Sequence, residues 1–211
     1  MHQNKVLLIG IKIEIVMSSR DKILARIKAN KPSLIDLPII EKELFVENKD
    51  HYSEFVKQVK GVGGVIKEVN SNKEVIAQLD KDFFEAENKY SNLEDTLYFN
   101  TIDVNQLESP NKLEDLDVFV TEGVFGVAEN GAVWLTGSQI PIRVLPFITK
   151  HLVLVLEKSK IVSNLHLAYE KIEKTEYNFG IFISGPSKTA DIEQSLVIGA
   201  QGALSLTIFI K

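Results

Sequence analysis

HLVLVL at residues 151–156 and LSLTIFI at residues 204–210 frame the part of the chain that decides the fold. The first is a continuous apolar run. A strand with one wet face alternates apolar and polar side chains, so an unbroken run marks a strand covered on both faces, as in parallel sheets. Between the two lie SNLHLAYEKIEK (163–174), NFGIFIS (178–184) and TADIEQSLVIGA (189–200). Leu165, Ala168, Tyr169 and Ile172 form one helical stripe, and 178–184 is a further buried strand. Residues 189–200 begin with Thr189, Asp191 and Glu193 and stop at Gly199 or Gly202, which predicts a helix with acidic residues at its start. Strand, helix, strand, helix, strand implies parallel crossovers. The expected class is α/β, with a mixed, mostly parallel sheet flanked by helices.

Upstream, DVFV closes the segment 111–123 as a strand, and VFGVAENGAVWLTG (124–137) places two apolar runs around Asn130-Gly131. That dipeptide predicts a two-residue type I′ hairpin turn between strands at about 124–129 and 132–136, because both residues tolerate positive φ. Trp134 in the second strand reads as core. YSEFVKQVKG (52–61), GVIKEV (64–69) and SNKEVIAQLDKDF (71–83) read helix, strand, helix. Residues 85–100 have no clear period, and residues 31–49 read as irregular around Pro32 and Pro38.

At the N-terminus, VLLIGIKIEIVM (6–17) is interrupted by Lys12 and Glu14 and is too short to span a bilayer. It predicts an extended segment that adds an edge strand. Met17 precedes SSRDKILARIKANKP, a helix capped by Ser18 or Ser19 and stopped by Pro32. Residues 1–16 therefore read as an extension, with translation from Met17 as an alternative. Residues 17–211 form the domain, its first part, about 17–50, a helical segment.

The net charge of −5 argues against nucleic-acid binding, which needs basic surface to displace counterions. The sequence has no cysteine, which excludes thiolate nucleophiles and thiolate-held clusters and agrees with a cytoplasmic location. No His/Asp/Glu spacing predicts a metal site, and His2, His51 and His166 stand alone.

The stretch ISGPSKTADIEQSL (183–196) leaves the apolar strand through Ser184, Gly185, Pro186 and Ser187. Ligands of open α/β sheets sit outside the carboxyl ends of strands, and this loop is expected at such an end. Gly185 lets backbone approach a ligand, Ser187 or Thr189 caps the helix, and Lys188 adds a cation. A capped loop facing water accounts for the same residues. His151 at a strand boundary is a candidate general base, with a spacer role as the plainer account. Arg143, between Pro141 and Pro146, aims a guanidinium at a carboxylate or forms a structural ion pair.

ISGPSKTADIEQSLVIGAQGA (183–203), VTEGVFGVAENGAVWLT (120–136), RVLPFITKHLVLVLEKSKIV (143–162) and the SSRDKILARIK start together resemble the lactate-utilization (LUD) domain family, of the lactate utilization protein C type. The resemblance runs from about Met17 to Lys211. It implies the fold shared by ribose-5-phosphate isomerases and CoA transferases. It implies a non-redox subunit of an iron–sulfur L-lactate oxidation system, with no cofactor on this chain and the clusters on partner subunits. CoA transferases of that fold use a glutamate in a Glu-Asn-Gly context as nucleophile, which makes Glu129 the catalytic candidate. Arg143, Ser184, Gly185, Ser187, Lys188 and Thr189 are then the candidates for holding a small carboxylate or phosphorylated ligand. The family usually has Thr where this chain has Asn130, so any role of that hydroxyl is lost here. The alternatives are a stand-alone acyl-CoA or sugar-phosphate enzyme using Glu129, and a pure interaction module.

Overall fold

A computed structural model describes residues 18–36, 38, 50–107, 109–190 and 196–211. The chain divides into two units, Met1–Glu47 and Asn48–Lys211. In the first, helix α1 (Ser19–Ala29) starts at a capping box: the Ser18 hydroxyl accepts from the Asp21 amide, and Asp21 reaches back to the Ser18 backbone. Of the two serines, Ser18 is thus the cap. The expected N-terminal strand, the Met17 start and the acidic pair Asp191 and Glu193 lie outside the described residues.

The second unit is built on a five-stranded sheet in the order β1 (Val65–Glu68), β11 (Ser205–Ile210), β6 (His151–Leu156), β3 (Val118–Glu122) and β2 (Lys89–Ser91). Every pairing in it is parallel. The apolar run of β6 divides by parity. Leu152, Leu154 and Leu156 face one cluster, with Phe55 and Val59 of helix α2 (His51–Gly61). Val153 and Val155 face the other, with Val75, Ile76 and Leu79 of helix α3 (Asn72–Asp82). Both faces are covered, as unbroken apolarity requires.

A second sheet has the order β7 (Ile161–Val162), β4 (Phe125–Val127), β5 (Ala132–Thr136) and β8 (Gly180–Ile183). β4 follows β3 and β7 follows β6 after only a few residues, and β4 and β7 stay parallel as β3 and β6 are. One face packs Val133 and Leu135 into the first cluster. The other packs Phe125, Val127 and Trp134 on Ala168 and Ile172 of helix α5 (Leu165–Glu173), and a short helix α4 (Leu145–Ile148) precedes β6.

Three expectations are corrected. The run 178–184 does not join the parallel sheet; β8 lies antiparallel to β5, with Phe182 opposite Trp134. Its residues are only half-buried, and an apolar run can be covered in either sheet. The described parts of 189–200 are not helical: β9 (Lys188–Ala190) and β10 (Leu196–Ile198) form an antiparallel two-stranded ribbon. Val197 and Ile198 are β-branched and favour extended backbone. The turn at Asn130-Gly131 is not type I′, because Asn130 keeps a negative φ; among the described non-glycine residues only Asp95 has a positive one. Residues 128–131 form a longer loop, and the Asn130 side chain accepts from the Ala132 amide at 3.0 Å.

Candidate functional site

The β4–β5 loop is fixed from three sides. Gly131 has φ +66°, and a Cβ there would lie 2.8 Å from the Val59 amide nitrogen of α2, so only glycine fits. The Glu129 amide donates to the Ser163 carbonyl at 3.0 Å. The Glu129 carboxylate accepts from the Leu165 amide at 2.9 Å, and Asn164 accepts from Leu167 at 3.0 Å. Two free amides of α5 are thereby satisfied, with a negative charge at the positive end of the helix. Glu129 is otherwise exposed.

The loop after β8 meets this turn. The Ser184 hydroxyl donates to the Asn130 carbonyl at 2.8 Å. Gly185 has φ +73°, and a Cβ there would lie 2.7 Å from the Val62 carbonyl oxygen at the end of α2. The exposed Lys188 carries its Nζ to 3.5 Å from the Cβ position of Gly63, beside the carbonyl end of α2, which favours a cation. The Ser187 amide donates to the Ala203 carbonyl at 2.9 Å, and the Ser187 carbonyl accepts from Gly199 at 3.0 Å. Ala203 precedes β11, so the loop reaches the first sheet at the amino end of that strand, not at a carboxyl end of a parallel strand. Thr189 sits opposite Val197 in the ribbon. Among the described residues, neither Ser187 nor Thr189 caps a helix.

Glu129, through its neighbour Asn130, is thus joined to Ser184, and Gly185 and Lys188 continue along the end of α2, while Ser187 turns to Ala203 and Gly199. Arg143 is set apart. Its guanidinium lies 5.1 Å from the centre of the Phe179 ring. Phe179 accepts from Gly137 at the end of the β5–β8 ladder remote from Ser184. The length of β5 puts roughly 14 Å between those ends. The arrangement offers an exposed carboxylate, a hydroxyl and one lysine along a rigid backbone. Sequence reasoning missed the α2 backbone that seats both glycines; the run Gly61-Val62-Gly63-Gly64 was its only signal.

His151, at the start of β6, shares a 2.8 Å hydrogen bond between its Nδ1 and the Ser205 hydroxyl. Burial pushes its imidazole below the ordinary value, against the opposing pull of Asp117. Among the described residues, no group of three or more His, Asp or Glu side chains is placed to hold a metal ion. No helix among them is long and apolar enough to cross a membrane.

Residues 44–210 match the LUD domain family. The lactate utilization protein C of Geobacillus sp. is 33% identical over 103 residues, 46% of this chain and 43% of that protein. The protein of the same name from Bacillus pumilus is 36% identical over 84 residues, 37% of this chain and 35% of that protein. Each matched stretch spans less than half of the relative. The crystal structure of a DUF162 family protein from Deinococcus radiodurans superposes with a TM-score of 0.58 at 16% identity, over 78% of this chain and 98% of that one. It is similar in fold.

Proposed function

This chain belongs to the LUD domain family, and on that premise we propose that it serves lactate utilization as a non-redox subunit beside iron–sulfur partners. The observation that carries the reading is the 103-residue match to a protein named for lactate utilization. Oxidising the C2 alcohol of L-lactate to the ketone of pyruvate releases two electrons and two protons. A chain without cysteine supplies no thiolate for a cluster, so the electrons pass to clusters on the partners. This chain's part is to present a small carboxylate, or the partner's own site, along Glu129, Ser184, Gly185, Ser187, Lys188 and Thr189. In this reading Lys188 is the cation for the carboxylate, because Arg143 is stacked on Phe179. The acyl-transfer alternative needs Glu129 as a free nucleophile, and the carboxylate is instead bonded to the Leu165 amide.

Affinity purification of the full chain from lactate-grown cells, followed by iron analysis and lactate-dependent dye reduction, tests the proposal. Cluster-bearing partners and dye reduction are expected in the bound fraction. Lys188→Ala is expected to lower dye reduction with co-purification intact. A bound fraction without iron and without lactate-dependent reduction overturns the reading.

A further inference from the structure

At the amino ends of the first sheet, the end of α3 turns back over β6 and encloses a recess of about 360 Å³. It is lined by Asp82, Phe83, Phe84, Glu85, Asp117 and His151, with Ala86 between them. The volume falls at the small end of the range of ligand pockets, about 300–1,000 Å³. None of the residues of the proposed lactate-handling face lines it.

The chemistry of the lining is specific. The Phe83 ring lies 4.5 Å from the His151 ring at 35°, forming an aromatic floor. Phe84 is 78% exposed beside it, a large apolar ring with no core to enter. Ser205 does not line the recess, yet its hydroxyl holds His151 Nδ1. That bond fixes the ring and leaves Nε2 for an occupant. Two of the three carboxylates are already compensated. Asp82 pairs with Lys67. Asp117 pairs with Lys150 at 2.7 Å and accepts from the Glu87 and Asn88 amides at 2.9 and 3.0 Å. Among the described residues Glu85 has no such pairing, and the carbonyl end of α3 closes beside it at Phe83. A neutral imidazole, favoured by the burial of His151, adds no opposing charge.

We propose that this recess is a binding site for a small planar organic cation: an aromatic or amidine-like ring that stacks on Phe84 and Phe83, hydrogen-bonds to His151 Nε2 and sets its positive charge against Glu85 and the end of α3. Aromatic faces and an unpaired carboxylate both prefer a cation over an anion of the same shape. Ser205 is a positioning residue for His151.

Benzamidine and benzoate, equal in shape and opposite in charge, test it on the full chain. The His151 imidazole resonances, identified by their loss in His151→Gln, are followed by NMR during titration with each. Benzamidine is expected to shift them saturably, and benzoate to bind at least about fivefold more weakly, the worth of roughly 1 kcal/mol of charge discrimination. Phe84→Ala and Glu85→Gln change exposed side chains and are each expected to weaken benzamidine by about fivefold while the melting temperature holds. Equal binding of the two probes, no saturable shift of His151 with benzamidine, or a shift unaffected by both substitutions overturns the proposal. These outcomes are independent of iron content and lactate-dependent reduction.

Discussion

The two larger sheets draw their strands alternately from the same stretch of chain but differ in construction. The first is wholly parallel, and Phe119, Val153, Leu154 and Phe209 in it are buried to the last atom. The second is short and mostly antiparallel, and all four residues of β8 remain half-buried. The first sheet derives its stability from layers on both faces. In the second, β4 and β5 are buried likewise, but the half-buried β8 and the turns are fixed by close backbone approaches and polar bonds. A mutation should therefore be felt through lost volume in the first sheet and through lost geometry at the turns and the β8 edge of the second.

The strongest challenge to that contrast is Phe119→Ala. It removes a fully buried ring from the first sheet and is expected to cost about 3–5 kcal/mol in urea unfolding. Phe182→Ala, in half-buried β8, is expected to cost clearly less, and an equal cost would abolish the distinction.

Next is Gly131→Ala in the second sheet, where a methyl group would meet the α2 backbone at positive φ. A loss of about 1–3 kcal/mol is expected. Gly137→Ala is the control, because its nearest neighbour would be 3.9 Å away, and it should be neutral.

Asp117 sharpens the picture at the edge of the first sheet. Burial raises its carboxyl, but the Asn88 and Glu87 amides and Lys150 outweigh this and hold it below the ordinary 3.8. A depressed acid stabilises the fold above its unfolded value and loses that contribution as pH falls through its folded one. Asp117→Ala is expected to cost about 1–2 kcal/mol near neutrality, from the orphaned amides, and to remove part of the acid limb below pH 3.8. His151 is depressed from 6.5, so its contribution is full above that value and falls as pH drops below it. His151→Gln should flatten the stability profile there.

The smallest expected effect is Glu129→Gln. The amide still accepts from Leu165, and only the charge at the start of α5 is lost, about 0.3–1 kcal/mol. Thermal denaturation with and without salt checks it, since screening should erase the difference.

The first sheet was largely legible in the sequence, because β6, β11 and β3 carry runs whose burial dictates their state. β2 and β7 were not, since three residues and two residues are too few to show a period. β8 was found as a strand but given the wrong neighbours and too deep a burial: an apolar side chain such as the half-buried Phe182 does not record which strand lies beside it. Residues 188–190 and 196–198 were misjudged because the acidic start of a helix and the Leu-Val-Ile run of a strand occur in the same short segment, and ribbon pairing set the conformation of these residues. At the site, Glu129 and the loop from Ser184 were visible as separate motifs, and their junction through Asn130 is a tertiary contact with no local signature. The aromatic recess depended on Phe83 and Phe84 folding back over His151 from a distant helix, which spacing alone does not encode.

The two loop glycines rest on one helix end, Gly131 against Val59 in the last turn of α2 and Gly185 against Val62 at its cap. Both motifs thus take their position from a common rail. Sliding that rail by a single residue would dislodge the carboxylate turn and the lysine loop together, so the spacing between them is set by the pitch of α2 and cannot be tuned at one motif alone.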